Sequence, residues 1–193
     1  MDTIFLITIL VVIFALAFDF INGFHDTANA IATSVSTRAL KPRVAVLMAA
    51  FMNFVGALTF VGVAKAIASN IVDPMSLNAF EGDVTGSVVI LAALCSAITW
   101  NLLTWYYGIP SSSSHTLIGS LAGAAIGAAG FGILNYGGFS SILAALIISP
   151  ILALTVGFIV MSLFKVLFKN LGLYKTNTRF RLVQIITAAI QSF

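Results

Sequence analysis

Apolar residues run almost unbroken through 3–21, 43–68, 84–107, 115–134 and 140–168. Each run is long enough to cross a hydrocarbon core as a helix, which takes roughly 20 residues. None carries the alternation of about ten residues that marks a lipid-facing strand, so a β-barrel is excluded. The pattern predicts an all-α, polytopic helical membrane protein. Residues 182–193 begin a further apolar helix that is too short to span, so this element reads as truncated. The polar and basic stretch 169–181 predicts a cytoplasmic linker between a helical bundle over 1–168 and that last segment.

Charge sets the orientation. Arg38, Lys41 and Arg43 crowd one short loop, and Lys165, Lys169, Lys175, Arg179 and Arg181 crowd another region near the C-terminus. The loop around 70–83 carries Asp73, Glu81 and Asp83 with no Lys or Arg. The positive-inside rule places the two basic regions in the cytoplasm and the acidic loop outside. Lys65 dissents, but its side chain is long enough to snorkel. Parity then requires residues 3–37 to form one interrupted crossing with the N-terminus outside. Residues 84–107 return inward and end in Trp100, Trp105, Tyr106 and Tyr107, a group suited to the interface. Residues 108–134 either cross fully or dip in and return.

Composition narrows the classes further. The chain is 60% hydrophobic and 8% charged, with a mean hydropathy of +1.11; a soluble domain carries about 25% charged residues. The pI near 9.3 does not indicate nucleic acid, because the basic residues lie at segment ends where topology accounts for them. Met1-Asp2-Thr3 lacks a basic leader, so the first segment is expected to be retained. The single Cys95 excludes an internal disulfide, and no His/Cys cluster suggests a structural metal.

Against this apolar background, residues 19–37, DFINGFHDTANAIATSVST, stand out. On a helix Asn22, Asp26, Asn29 and Thr33 fall within roughly 60° of one another. A carboxylate at bilayer depth costs about 3 kcal/mol even on insertion scales and usually marks an ion or proton pathway. A seam gluing helices together would explain a single Asn or Thr but not Asp19 and Asp26 together. Asp19 reads as interfacial, which leaves Asp26 as the candidate. Asn53 and Asn101 are further polar residues in apolar helices, with Asn101 expected to hydrogen-bond across the bundle.

A second constellation is Pro110 through Thr116, PSSSSHT, followed by LIGSLAGAAIGAAG. Serines are favoured helix N-caps, and Pro110 disfavours helix before them. A helix starting here would aim free backbone N–H groups, hydroxyls and a positive dipole end at one spot, an anion cradle without Lys or Arg. Simple capping in an interfacial loop is the competing reading. Gly119, Gly123 and Gly127 form the small-xxx-small stripe that admits close helix packing, expected against the Asp26 helix.

GFHDTANAIAT at Gly23–Thr33, the following TRALKP, and YGIPSSSSHTLIGSLAGAAIG at Tyr107–Gly127 closely resemble the inorganic phosphate transporter (PiT) family, in its bacterial low-affinity branch. The resemblance implies an inward phosphate symporter of the cell membrane, built from two inverted repeats with interrupted helices. It implies that Asp26 binds or relays the coupling cation, with Asn22 and Asn53 as its neighbours in that role. Thr27, Asn29, Ser112, Ser113 and Ser114 would hold phosphate, and His115 completes the motif. The sodium-coupled animal branch carries a glutamate where Asn53 aligns, which leans toward proton coupling and co-transport of a neutral metal–phosphate complex. No other cofactor is implied.

The chain departs from the family in one respect. Members carry a second motif set beginning with a run like SHGAND, and this chain ends at Ala189–Phe193, about where that run should start. It therefore reads as the first repeat only, a half that needs a second repeat or a second copy. The alternatives are a permease for sulfate or another oxyanion, a half-protein without transport activity, and an intramembrane hydrolase using a serine, His115 and Asp26. The hydrolase lacks a Gly-x-Ser-x-Gly elbow.

Overall fold

A computed structural model describes residues 3–59, 71–72, 84–109, 111–169 and 173–193. Six α-helices carry the fold of these described residues: α1 (Thr3–Ser36), α2 (Pro42–Thr59), α3 (Val84–Tyr106), α4 (Ser113–Ala129), α5 (Tyr136–Leu167) and α6 (Leu173–Ser192). A 3-10 turn, Phe131–Ile133, follows α4. No strand occurs among the described residues; Val72 and Leu134 form an isolated bridge. Four of the described helices are long and apolar enough to cross a membrane: α1, α2, Thr85–Tyr106 of α3, and α5. The chain is thus an all-α, multi-pass membrane protein. Lys65, Asp73, Glu81, Asp83 and Pro110, which entered the topology and cradle arguments, lie outside the described residues.

The first crossing departs from expectation: α1 is one unbroken helix of 34 residues. Its polar stripe removes no backbone hydrogen bond, it contains no proline, and Gly23 alone costs only about 1 kcal/mol of helix propensity. The helix stops where Arg38 takes a left-handed φ of 58° and the Leu40 N–H returns to the Ser34 carbonyl at 3.0 Å. Pro42 then starts α2 in the first helical position, where its missing N–H costs nothing. The Lys41 carbonyl accepts from the N–H groups of Val44 and Ala45.

The expected linker is also shorter than the polar stretch implied. Residues 173–181 belong to α6, which begins at Leu173 and runs to Ser192. Thr176, Asn177 and Thr178 are poor helix formers, so the helix over this stretch is carried by the apolar continuation of α6 rather than by local propensity.

The chain divides into two compact units. The first holds residues 1–26 and 62–142, the second 27–61 and 143–193. In the first unit, Phe18 of α1 is buried with Leu94 and Ala97 of α3, and Leu117 of α4 packs on them. Farther along, the Phe24 ring meets Trp105 edge-on at 5.8 Å. The contacts advance together along both helices, so α1 and α3 run in the same direction.

In the second unit Ile31 of α1 is buried with Ala45 and Ala49 of α2. The two alanines have no exposed surface, and their small side chains let the helices approach closely. The C-terminal end of α6 lies against α2 so tightly that a Cβ at Gly56 would overlap the Phe193 carbonyl. Most large apolar side chains remain exposed, and no residue of α5 is buried, as expected of surfaces solvated by lipid tails.

The Ala45–Ala49 seam leaves no room for volume. Ala49→Leu is expected to destabilise the protein by about 1–3 kcal/mol through overpacking, read as a lower thermal midpoint in detergent. Leu47→Ala, on the exposed face of the same helix, should leave the midpoint almost unchanged.

Candidate functional site

Ile109, Ser111 and Ser112 lead into α4 after a sharp stop to α3. Gly108 takes a left-handed φ of 64°, and the Ile109 N–H turns back to the Thr104 carbonyl at 2.8 Å. Ser112 is the N-cap of α4, with extended backbone and a side chain that accepts from the His115 N–H at 3.5 Å. Its carbonyl accepts both the Thr116 N–H and the Thr116 hydroxyl, each at 3.0 Å. Capping is therefore real, and it uses one serine of the four.

The next serine does something else. Ser113, almost fully buried, donates its hydroxyl to Oδ2 of Asp26 at 2.9 Å. Residues 87 positions apart are joined here, one on the long helix α1 and one in the first turn of α4.

Beside this pair lies a cleft of about 570 Å³ between α3 and α4. Ser96, Trp100 and Thr104 line it from one face of α3, and Ser111, Ser112 and His115 from the other side. The serine run thus faces two ways, Ser113 toward the carboxylate and Ser111 and Ser112 into the cleft. Ser114 is exposed and makes no contact with Asp26 among the described hydrogen bonds.

The glycine stripe corrects an expectation. A Cβ at Gly119, Gly123 or Gly127 would meet nothing within 4 Å, so the stripe does not pack against the Asp26 helix. Gly119 lines the cleft instead, where its missing side chain leaves volume.

Asn101 also behaves differently from expectation. It is fully buried, and neither amide atom has a hydrogen-bond partner among the described residues. It sits one turn beyond Ala97 on α3, just as Asn22 sits one turn beyond Phe18 on α1. Asn22 Oδ1 and His25 Nε2 are likewise buried without partners among the described residues, and Phe24 stacks edge-on to the His25 ring at 5.0 Å. Polar atoms without partners therefore concentrate at the level of Asp26.

The remaining sequence candidates lie elsewhere on the helices. Thr27 and Asn29 follow Asp26 on α1 and belong to the second unit. Asn53, also of that unit, donates its side-chain amide to the Ala49 carbonyl at 3.1 Å within its own helix. Ser96, Trp100 and Thr104 are functional candidates that sequence reasoning misses. Their spacing of four residues is the available signal, hidden because Trp100 reads as part of an interfacial aromatic group. No group of three or more His, Cys, Asp or Glu able to hold a metal occurs among the described residues.

The profile of the phosphate transporter family matches residues 22–193, both motif regions included. The chain belongs to this family. A probable low-affinity inorganic phosphate transporter of Bacillus subtilis (strain 168) is 66% identical over 193 residues, covering 100% of this chain and 56% of the relative. A protein of the same description from Streptomyces halstedii is 40% identical, covering 95% of this chain and 83% of its own length. Among solved structures, the sodium-dependent phosphate transporter superposes with a TM-score of 0.78 at 24% identity, over 97% of this chain and 53% of the other. That likeness shows the fold. The chain spans about half the length of the Bacillus relative and less of a Mycobacterium leprae one. Family and relatives are transporters, not enzymes, and the hydrolase reading is set aside.

A buried amide without partners carries a desolvation cost of about 1–3 kcal/mol. Replacing Asn101 by the nearly isosteric Leu is therefore expected to raise the thermal midpoint or leave it unchanged. A clear drop would show that the amide has a bonding partner in the folded protein.

Proposed function

We propose that this chain forms the phosphate- and cation-handling half of a secondary transporter of inorganic phosphate in the cell membrane. The observation that carries the reading is the Ser113–Asp26 hydrogen bond. It places the intramembrane carboxylate against the start of a helix whose capping serines open into a cleft. Names of relatives at up to 66% identity support phosphate as the substrate.

In this reading the anion sits in the cleft at the start of α4, held by the hydroxyls of Ser111 and Ser112, His115 and the first-turn N–H groups. Ser114, Thr27 and Asn29 are assigned to phosphate by the family motif alone, and none of them lines the cleft. Asp26 takes the coupling cation, with Asn22 one turn before it on α1; Asn53 is assigned to the same role by the family alignment alone. The cation is a proton, and phosphate travels as a neutral metal complex. A protonated phosphate keeps a P–O–H donor that sulfate lacks near neutral pH. The hydroxyl oxygens lining the cleft can accept that proton, so the site favours phosphate over the analogue that lacks it. A second repeat or a second copy completes the site, and alternating access follows by movement of one repeat against the other.

Radiolabelled phosphate uptake into proteoliposomes, with an imposed proton gradient and magnesium, tests the reading. Asp26→Asn is expected to abolish uptake, whereas Ser113→Ala lowers it by about tenfold or more, from loss of a charge-assisted hydrogen bond of roughly 1.5–3 kcal/mol. Undiminished uptake by Asp26→Asn would overturn the assignment of the carboxylate. Equal competition by sulfate would favour a broad oxyanion permease.

Gly119→Leu is expected to fill part of the cleft that Gly119 lines, since a Cβ there meets nothing within 4 Å. It should raise the apparent KM for phosphate and leave the thermal midpoint unchanged.

A further inference from the structure

The second unit carries a charge distribution that phosphate handling at Asp26 does not use. Residues 27–61 and 143–193 contain Arg38, Lys41, Arg43, Lys165, Lys169, Lys175, Arg179 and Arg181, and no Asp or Glu at all. Topology explains why such residues lie on the cytoplasmic side. It does not explain why three separate elements bring Arg38, Arg181 and the Lys165–Lys169 end of α5 together.

The gathering is visible in specific contacts. The guanidinium of Arg181, on α6, donates to the backbone carbonyl of Arg38, in the α1–α2 loop. The Thr37 hydroxyl beside it donates to Gln184 Oε1 at 2.9 Å. These bonds fix α6 to the loop that also carries Lys41 and that leads into Arg43 in the first turn of α2. On the other side of Arg181, Phe180 meets Phe168 at 5.0 Å and Phe164 at 6.4 Å. That aromatic triad draws in the end of α5, with Lys165 and Lys169. Cations are thus assembled from three chain segments without an Asp or Glu among them.

Like charges held together need a counter-anion, and the neighbouring surface says which kind. α5 presents 32 residues with none buried, a continuous apolar face ending at Lys165. Acyl chains lying along α5 would deliver a phosphodiester to the level of the triad and the basic corner. A basic cluster at the cytoplasmic end of a membrane helix attracts anionic headgroups, and Arg recognises phosphate through its planar fork.

We propose that Arg38, Arg181 and the Lys165–Lys169 end of α5 form a binding site for the headgroup phosphate of an anionic phospholipid, whose acyl chains lie on α5. The site is independent of transport, so its test does not depend on phosphate uptake.

The full chain in detergent is equilibrated with mixed vesicles of phosphatidylcholine and phosphatidylglycerol in equal parts, repurified, and its retained lipid identified by native mass spectrometry. Phosphatidylglycerol is expected to be enriched on the wild-type chain. The double variant Arg38→Gln/Arg181→Gln should lose that enrichment by roughly tenfold or more, from about 1 kcal/mol per cation removed. Arg38→Lys/Arg181→Lys, which keeps the charge, should retain most of it. Lys165→Gln/Lys169→Gln removes side chains with no hydrogen bond among the described residues, so it reads the same loss should the arginine pair prove necessary for folding. Equal retention of both lipids, or full enrichment on both Gln variants, overturns the proposal. Displacement of the lipid by excess inorganic phosphate also overturns it, in favour of a soluble-anion site.

Discussion

A carboxylate on an apolar helix needs hydrogen-bond donors that lipid tails cannot supply. In this chain one such donor is the Ser113 hydroxyl, which bonds Asp26 at 2.9 Å from the first turn of α4. The rest of the local architecture serves that bond. α1 must continue unbroken past its polar stripe to present Asp26. α3 must end sharply at Gly108, and Ser112 must cap α4 through its own backbone and side chain so that Ser113 is left free to turn to α1. Register between α1 and α3, fixed by Phe18 against Ala97 and by Phe24 against Trp105, holds the level at which carboxylate and serine meet.

The packing around this bond is sparse by the standards of a soluble core. Buried apolar side chains are few among the described residues, and several are alanine: Ala45, Ala49, Ala93, Ala97, Ala122 and Ala125. Lipid tails are as apolar as leucine, so helices gain nothing by merely hiding large side chains from lipid. Close approach is worth more than volume, and alanine permits it. Large apolar residues accordingly stay on the lipid-facing surfaces, with α5 the extreme case.

Much of this is legible in the sequence, for identifiable reasons. Membrane helices announce themselves because an unbroken apolar run of about 20 residues matches the thickness of a bilayer and little else. Asp26 stands out because a carboxylate in such a run is costly, and the serine run because cap preferences are local. What stays hidden depends on partners. Nothing local distinguishes Ser113, which reaches Asp26, from Ser112, which caps, or Ser114, which stays exposed. The glycine stripe looks like a packing surface because spacing alone does not reveal whether a neighbour arrives. Asn101 looks like an ordinary cross-bundle hydrogen bonder, and only the structure shows its amide buried without a partner among the described residues. The unbroken course of α1 is hidden because polar side chains suggest a break in the helix, although the backbone of that stretch lacks nothing a helix needs.

The two-way division of the serine run has a thermodynamic consequence. Ser112 and Ser113 are consecutive residues, one opening into the cleft and the other bonded to the carboxylate. Any occupant of the cleft that shifts the start of α4 alters the bond on Asp26, and any charge change on Asp26 alters the cleft by the same free energy. Linkage of this kind is reciprocal by necessity. A single turn of helix is short enough to act as a stiff beam between the two, so coupling here needs no path through the rest of the protein.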